Sequence, residues 1–343
     1  MIKTFCPSVL LISLFVIGCS PGQEKIISIT GFAQGSTYSI KYAGRPKYNN
    51  DTIRSQVAQI LRSIDMSLSV YYDSSIISRI NRNEDVRTDT LFNEVFRAAM
   101  KISEMSDGAF DITVMPLVKA WGFGPDKHKT FKPSKLDSLR SLVGFRKVKL
   151  LGNTLVKSNP DISIDVNAIA QGFTVDIICR YFDRLKIQNY LVEVGGEVRA
   201  KGLKNGEKWR IGIDRPIDGN MIPGDDLQAI IKLSNKAIAT SGNYRKYYVE
   251  NGIKYSHHID PKTGYPTKNR VLSVSVVAND CTTADGLGTA FIVMGLEKSI
   301  AFIENSRDLE GYIIYSDEKG NFLTWMSDGL KSLIEEETAT SVN

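Results

Sequence analysis

The chain has 343 residues, of which 42% are hydrophobic and 24% charged, enough apolar material for a large core and too much for a disordered chain. Its 43 Lys and Arg against 38 Asp and Glu give a net charge of +5 that is spread rather than clustered, so the charge leaves no nucleic-acid footprint. Four cysteines are too few for a disulfide framework.

The N-terminus carries one cation, Lys3, and then an apolar run from Val9 to Ile17 that ends at Gly18-Cys19. A run of about a dozen residues is short for a bilayer span, which needs roughly 20, and it fits the apolar region of an export signal. Val16-Ile17-Gly18-Cys19 resembles the lipobox of bacterial lipoproteins, so residues 1–18 are expected to be removed and Cys19 acylated, with residues 19–25 as a tether. Loss of Lys3, the only charge in 1–18, changes the net charge from +5 to +4. Cys6 leaves with the signal, and Cys179 and Cys281 remain in the body, where one disulfide is possible.

The body is expected to span residues 26–334. Ile27 and Ile29, then Tyr38, Ile40 and Tyr42, alternate as two strands around a turn with Gly31 and Gly35. Ile53, Val57, Ile60, Leu61, Ile64 and Leu68 follow helical spacing, with Asp51 as N-cap. A second amphipathic helix runs through Leu91, Val95, Phe96, Ala99 and Ile102 and stops before Gly108. Ser134–Leu142 reads as a short helix closed by Gly144. Strands are expected at 148–151, 155–157 and 162–165, then a helix from Ala168 past Tyr181, a strand at 190–194 and a Gly195-Gly196 turn. Strands follow at 198–202, 209–213, 229–233, 253–259 and 272–277, then a helix from about Thr283, a final helix and strands at 312–315 and 322–325. Residues 335–343 read as a loose tail. Strand runs broken by helices, without a steady βαβ rhythm, predict an α+β fold.

Four segments could carry chemistry. In Cys281–Ala290, Asp285 and Thr289 are four apart, so a helix puts their oxygens on one side, and both are hard donors of the kind Mg²⁺ accepts. The structural alternative is an Asp in the first turn of a helix, favoured by the dipole. In Tyr255–Gly264, two of the three histidines, His257 and His258, stand at a strand end before Asp260-Pro261. His128 is the third. Strand alternation sends the pair to opposite faces, so one at most serves a given site, as a base titrating near neutrality or as a capping residue. No G-x-S-x-G elbow accompanies Ser256, and no HExxH or CxxC accompanies the histidines, which disfavours serine hydrolysis and zinc. Gly108–Thr113, with Trp121-Gly122-Phe123-Gly124 downstream, can form a heterocycle-binding turn or a structural loop. At Asp165–Gly172 a strand delivers the chain to a helix start suited to a phosphate.

Taken in order, these segments resemble the flavin transferase (ApbE) family of bacterial lipoproteins over about residues 30–325. Further landmarks are Gly35-Ser36-Thr37-Tyr38, Ser75–Asn81, Val194-Gly195-Gly196-Glu197 and Ala239–Arg245. The resemblance implies an α+β fold of mixed and antiparallel sheets, with a T-fold-like core and two entwined lobes holding FAD between them. It implies Mg²⁺ on Asp285, Thr289 and the Ala168 carbonyl, flavin-nucleotide contacts from Gln34, Tyr71, Ala109, Phe110, Asp111, Asp165, Gln171 and Ile259, and His257 as the base. The activity implied is transfer of FMN from FAD to a threonine hydroxyl of an extracytoplasmic acceptor protein, releasing AMP, at a lipid-anchored membrane face. An FAD pyrophosphatase and a noncatalytic FAD-binding lipoprotein are the rival readings. The chain departs from the family pattern at Gln171, where Lys or Glu is common, at His258, where Ile is usual, and at Gln34, often Met.

Overall fold

The computed structural model describes residues 24–44, 49–124, 131–217, 224–243, 247–250 and 253–337. The signal segment and Cys19, His128, Tyr244 with Arg245, and residues 338–343 lie outside them. The first elements, β1 (Ile26–Ala33) and β2 (Ser36–Ala43), pair as an antiparallel hairpin. Its two-residue turn is Gln34-Gly35, with φ of 52° and 74°, the left-handed pair that matches the strand twist. In α1 (Asn50–Leu68) the helical stripe Ile53, Val57, Leu61, Ile64 and Leu68 is buried. The N-cap is Asn49 rather than Asp51, and its side chain accepts from the Asp51 N–H at 3.0 Å. Asp51 instead sits in the first turn, where the dipole also favours a carboxylate.

The helices α2 (Ile76–Asn81) and α3 (Thr90–Met105) are capped by Ser75 and Asp89. They are followed by α4 (Met115–Ala120) and α5 (Leu136–Ser141), then the hairpin β3 (Val148–Leu151) and β4 (Thr154–Lys157). Residues 162–165, expected as a strand, join no ladder. Asn81 brackets Ile164 instead, donating to its carbonyl at 2.9 Å and accepting from its N–H at 2.8 Å, while Asp165 N–H donates to Ile112 O at 2.7 Å. A side chain thus replaces the ladder partner.

Next come α6 (Asn167–Arg184), β5 (Tyr190–Val194), β6 (Glu197–Lys201), β7 (Trp209–Asp214), β8 (Leu227–Leu233), β9 (Lys236–Gly242), β10 (Tyr247–Glu250), β11 (Ile253–Ser256) and β12 (Val271–Ala278). The chain continues through α7 (Cys281–Met294), α8 (Leu296–Glu304), β13 (Glu310–Ser316), β14 (Phe322–Met326), α9 (Asp328–Lys331) and β15 (Ile334–Glu337). The periodicity reading missed α2, α4, β9, β10, α9 and β15. Residues 335–337, expected to be loose, pair with β8 as part of β15.

Eight strands form one antiparallel sheet in the order β1-β2-β5-β6-β9-β12-β13-β14. The helices α6 and α7 pack on one face, against β5 and β6 and against β9 and β12. On the other face the three-stranded sheet β15-β8-β7 buries Trp209, Ile211, Ile231 and Leu233 against Val198, Ile238, Val277 and Tyr312. A smaller core of Leu117, Trp121, Val143 and Ile259 gathers α4, α5 and the segment after β11 into a second lobe. Trp121 Nε1 fastens that lobe by donating to Gly264 O at 2.9 Å. Each large apolar side chain fully buried here contributes about 1.5–3 kcal/mol relative to exposure.

Ten of the fourteen residues of α7 are buried, on more than one face, so this helix runs through the middle of the molecule. Its glycines make that possible. A Cβ at Gly286 would stand 2.5 Å from Ile102 Cδ1 of α3, and one at Gly288 would stand 2.8 Å from Ser241 Oγ of β9. Cys179 and Cys281 are both buried free thiols, so the disulfide the sequence permits does not form. Among the described residues no helix is long and apolar enough to cross a membrane.

Candidate active site

One cavity of about 320 Å³ lies between the lobes and is lined by Tyr71, Ala109, Phe110, Asp111, Asp165, Ala168, Gln171, His257, Ile259, Asp285 and Thr289. All the expected site residues of the described body are there except Gln34. That residue is held in the β1–β2 turn, and its Nε2 donates at 2.8 Å to Oγ1 of Thr174 on α6, which does not line the cavity either. The cavity also takes in Asn167, Glu197, Thr240, Ser241 and the apolar residues Val114, Val118, Phe123 and Val293. Asn167, Glu197, Thr240 and Ser241 fall within the landmark motifs, where no spacing or chemistry assigns them a role.

Each wall is built by local hydrogen bonding. Asp165 Oδ1 accepts from Asn167 N–H at 2.8 Å, an Asx turn that starts α6 and aims its first residues at the cavity. The Asp111 carboxylate turns inward. Its Oδ1 accepts from the Thr113 N–H and hydroxyl at 2.8 and 2.7 Å, and its Oδ2 from Phe145 N–H at 2.7 Å. Burial raises its pKa, and those donors oppose the rise. Asp111 therefore shapes the turn that presents Ala109 and Phe110. The Gln171 amide lies against Gly195, where a Cβ would come within 2.1 Å of Nε2 and φ is +69°, so the Gly195 turn needs glycine on both counts.

The two histidines overturn the alternation argument. β11 ends at Ser256, and the chain bends at His257, so the pair lies outside the ladder. Both rings line the cavity with centroids 4.0 Å apart at 43°. Alternation holds only within a ladder. His257 is half-buried, with its ring edge to Phe123 at 6.4 Å, while His258 is buried and its carbonyl accepts from Thr267 N–H at 2.9 Å. Ile259, expected to end the strand, instead bridges to Pro266.

The helices α6 and α7 bring the oxygen donors together. Asp285 is the fifth residue of α7, past the first turn, and is only 7% exposed. Asp280 is the N-cap. Among the described residues the one hydrogen bond to the Asp285 side chain is from Gly172 N–H to Oδ2, at 2.9 Å, and Oδ1 has no protein donor. Burial raises its carboxyl to about 7; Gly172 N–H lowers it and the charge of Asp176 raises it further. In a regular helix that N–H points at the Ala168 carbonyl, so this carbonyl keeps lone-pair capacity for another ligand. The Thr289 hydroxyl, one turn beyond Asp285, has no protein hydrogen bond among the described residues. A buried carboxylate with one N–H donor, a hydroxyl and a backbone carbonyl form a hard-oxygen set that fits Mg²⁺.

Asp111, Asp165, Glu197 and Asp285 are the acidic residues of the cavity lining. These features define an α+β protein with an inter-lobe cavity that combines an acidic metal niche, a histidine pair and an aromatic and apolar wall.

The chain belongs to the ApbE family, whose model matches residues 34–313. It is 36% identical over 330 residues to the FAD:protein FMN transferase of Vibrio cholerae serotype O1, covering 94% of this chain and 96% of that protein. It is 37% identical over 326 residues to the FAD:protein FMN transferase of Haemophilus influenzae, covering 91% and 93%. The solved flavin transferase ApbE from Vibrio cholerae superposes with a TM-score of 0.81 at 35% identity, over 90% of this chain and 99% of that one. The apo flavinyl transferase ApbE of Pseudomonas stutzeri superposes with a TM-score of 0.82 at 31% identity, over 95% and 100%.

Proposed function

We propose that this chain is an enzyme that transfers the FMN half of FAD to a threonine hydroxyl of an acceptor protein, with AMP leaving and Mg²⁺ held between α6 and α7. The observation that carries this reading is the hard-oxygen set on the cavity wall, the buried Asp285 carboxylate with Gly172 N–H as its one described donor beside the Thr289 hydroxyl and the Ala168 carbonyl. A dinucleotide's diphosphate would be repelled there unless a divalent cation lay between. Asp285 Oδ1, the Thr289 hydroxyl and the Ala168 carbonyl would hold Mg²⁺, which when bound offsets the negative charge that grows as the diphosphate linkage breaks.

The remaining work falls to the chain's own side chains. His257 accepts the proton of the incoming hydroxyl, a poor nucleophile until deprotonated. Phe110 and Ile259, with Tyr71 across the mouth, supply the flat apolar surface a flavin ring requires, and Tyr71 screens the linkage from water. The Gln171 amide offers neutral hydrogen bonds where a charged side chain is usual. Export and acylation at Cys19 would hold the enzyme on the extracytoplasmic membrane face, beside acceptors that are parts of electron-transfer complexes; Cys19→Ser is expected to move it from membrane to soluble fraction.

The deciding experiment incubates purified protein with FAD, Mg²⁺ and a threonine-bearing acceptor and measures acceptor mass. An FMN-sized increase that EDTA abolishes is expected. Free FMN appearing at the same rate without acceptor would replace transfer with FAD hydrolysis.

A further inference from the structure

Asp176 lies outside the cavity, but its hydrogen bonds reach the metal niche through the helices. It is only 2% exposed and sits on α6, one turn after Gly172. Its Oδ1 accepts from Cys281 N–H at 3.1 Å and Arg199 Nη1 at 2.6 Å. Its Oδ2 accepts from Thr282 N–H at 2.9 Å and Thr282 Oγ1 at 2.6 Å. The N-cap Asp280 takes Thr283 N–H at 2.8 Å, so two carboxylates satisfy the first three N–H groups of α7. Asp280 is local to that helix. Asp176 is not, and it ties α7 to α6 and, through Arg199, to β6.

The contacts run as an antiparallel ladder, one helical turn per rung. Asp176 meets Cys281 and Thr282, Gly172 meets Asp285, and one turn further Ala168 and Thr289 both reach the cavity. At 1.5 Å per residue the first rung lies about 12 Å along the axis from the last. Gly172 keeps the middle rung short, since a Cβ there would lie 2.4 Å from Cys281 O. A slide or tilt of α7 at its N-terminus therefore displaces the Asp285 and Thr289 oxygens from the Ala168 carbonyl.

We infer that Asp176 is a positioning residue for the transfer reaction: by clamping the first turn of α7 to α6, it sets the spacing of the three oxygen donors assigned to the divalent cation. This rests on the reading of the niche given above. Arg199 balances the Asp176 charge, so the clamp is charge-assisted and stays formed in the interior.

The test uses Mn²⁺ as the probe, with affinity read by electron paramagnetic resonance on purified protein and amide hydrogen exchange followed at Gly172. In Asp176→Asn one acceptor oxygen becomes a donor that faces N–H groups. Mn²⁺ affinity is expected to fall roughly 10- to 100-fold, the range for residues that orient a metal's ligands. Exchange at Gly172 should accelerate, while FAD binding in EDTA, read by flavin fluorescence, stays within about twofold, because Asp176 does not line the cavity. Thr282→Val, which removes one hydroxyl and keeps the side-chain volume, is expected to give a smaller loss of the same kind and covers the case in which Asp176→Asn does not fold. Wild-type Mn²⁺ affinity in a folded variant would overturn the role of Asp176 alone. Failure of the wild-type protein to bind Mn²⁺ would overturn the niche assignment and the role of Asp176 with it.

Discussion

Replacing Gly172 with Ala sets two calculable effects against each other. Within α6 the exchange favours Ala by about 1 kcal/mol from helix propensity. Against this, the new methyl would lie 2.4 Å from Cys281 O, 2.7 Å from Asp285 Cβ and 2.8 Å from Cys281 C, where ordinary contact begins at 3.4 Å. Two of these atoms are backbone and cannot rotate away, so α7 must retreat by about 1 Å. Overpacking of this kind costs about 1–3 kcal/mol, and its backbone character puts the present case at the upper end, for a net loss of about 2 kcal/mol. Against a typical stability of about 5–15 kcal/mol the protein still folds, with Tm lower by roughly 3 °C for a body of this size. Function suffers far more, because Asp285 and Thr289 move with α7 while Ala168 does not. A displacement of about 1 Å at a reacting site can cost 100-fold in rate. The assay pairs a thermal melt with the acceptor mass shift at fixed Mg²⁺. Gly172→Ala with an unchanged or raised Tm and a normal transfer rate would refute both the close helix contact and its link to the donors.

The remaining predictions concern pH, the base and the cavity mouth. Burial pushes the Asp285 carboxyl up to about 7, well above the usual carboxylate range, so in EDTA its contribution favours the fold at low pH and is lost as pH rises from about 4 through 7. The Tm difference between pH 5 and pH 8 should shrink in Asp285→Asn, and Mg²⁺ should raise the wild-type Tm most at pH 8; an identical pH slope in the variant would show that Asp285 is not the group responsible. His257→Ala is expected to lower FMN transfer by about 10²- to 10⁴-fold with FAD and Mn²⁺ still bound, whereas His258→Ala should act mainly on stability; the reverse ranking would move the base to His258. Tyr71 is 64% exposed, so Tyr71→Ala should leave Tm nearly unchanged, weaken FAD binding by an amount equivalent to about 0.5–1.5 kcal/mol of aromatic contact, and raise the share of FMN released to water, as measured by chromatography of the products.

Much of the site was legible because its residues fall in short segments with regular spacing. Asp285 and Thr289 announced a shared helix face, and the segment order carried the family resemblance that gathered Tyr71, Ala109, Phe110, Asp165 and Ile259. Other features depended on distant partners. His257 and His258 share the cavity because β11 stops at Ser256, a ladder boundary that no local pattern marks. Asp111 spends its carboxylate on Thr113 and Phe145, the latter 34 residues away. β9 was missed because Lys236–Gly242 lacks clear alternation, its strand state resting on β6 and β12 at either side.

Composition and periodicity by themselves determined the class of the chain: an α+β body, its main helices and most strands, because burial of one face imposes a period that a linear reading can see. Tertiary structure alone decided which oxygens face one another. The antiparallel stagger of α6 and α7, the two glycines that let α7 pass through the core and the grip of Asp176 on the start of α7 join residues distant in sequence, Gly172 with Asp285 across 113 positions and Asp176 with Cys281 across 105. Close packing fixes such separations to fractions of an ångström, and no spacing along the chain encodes them.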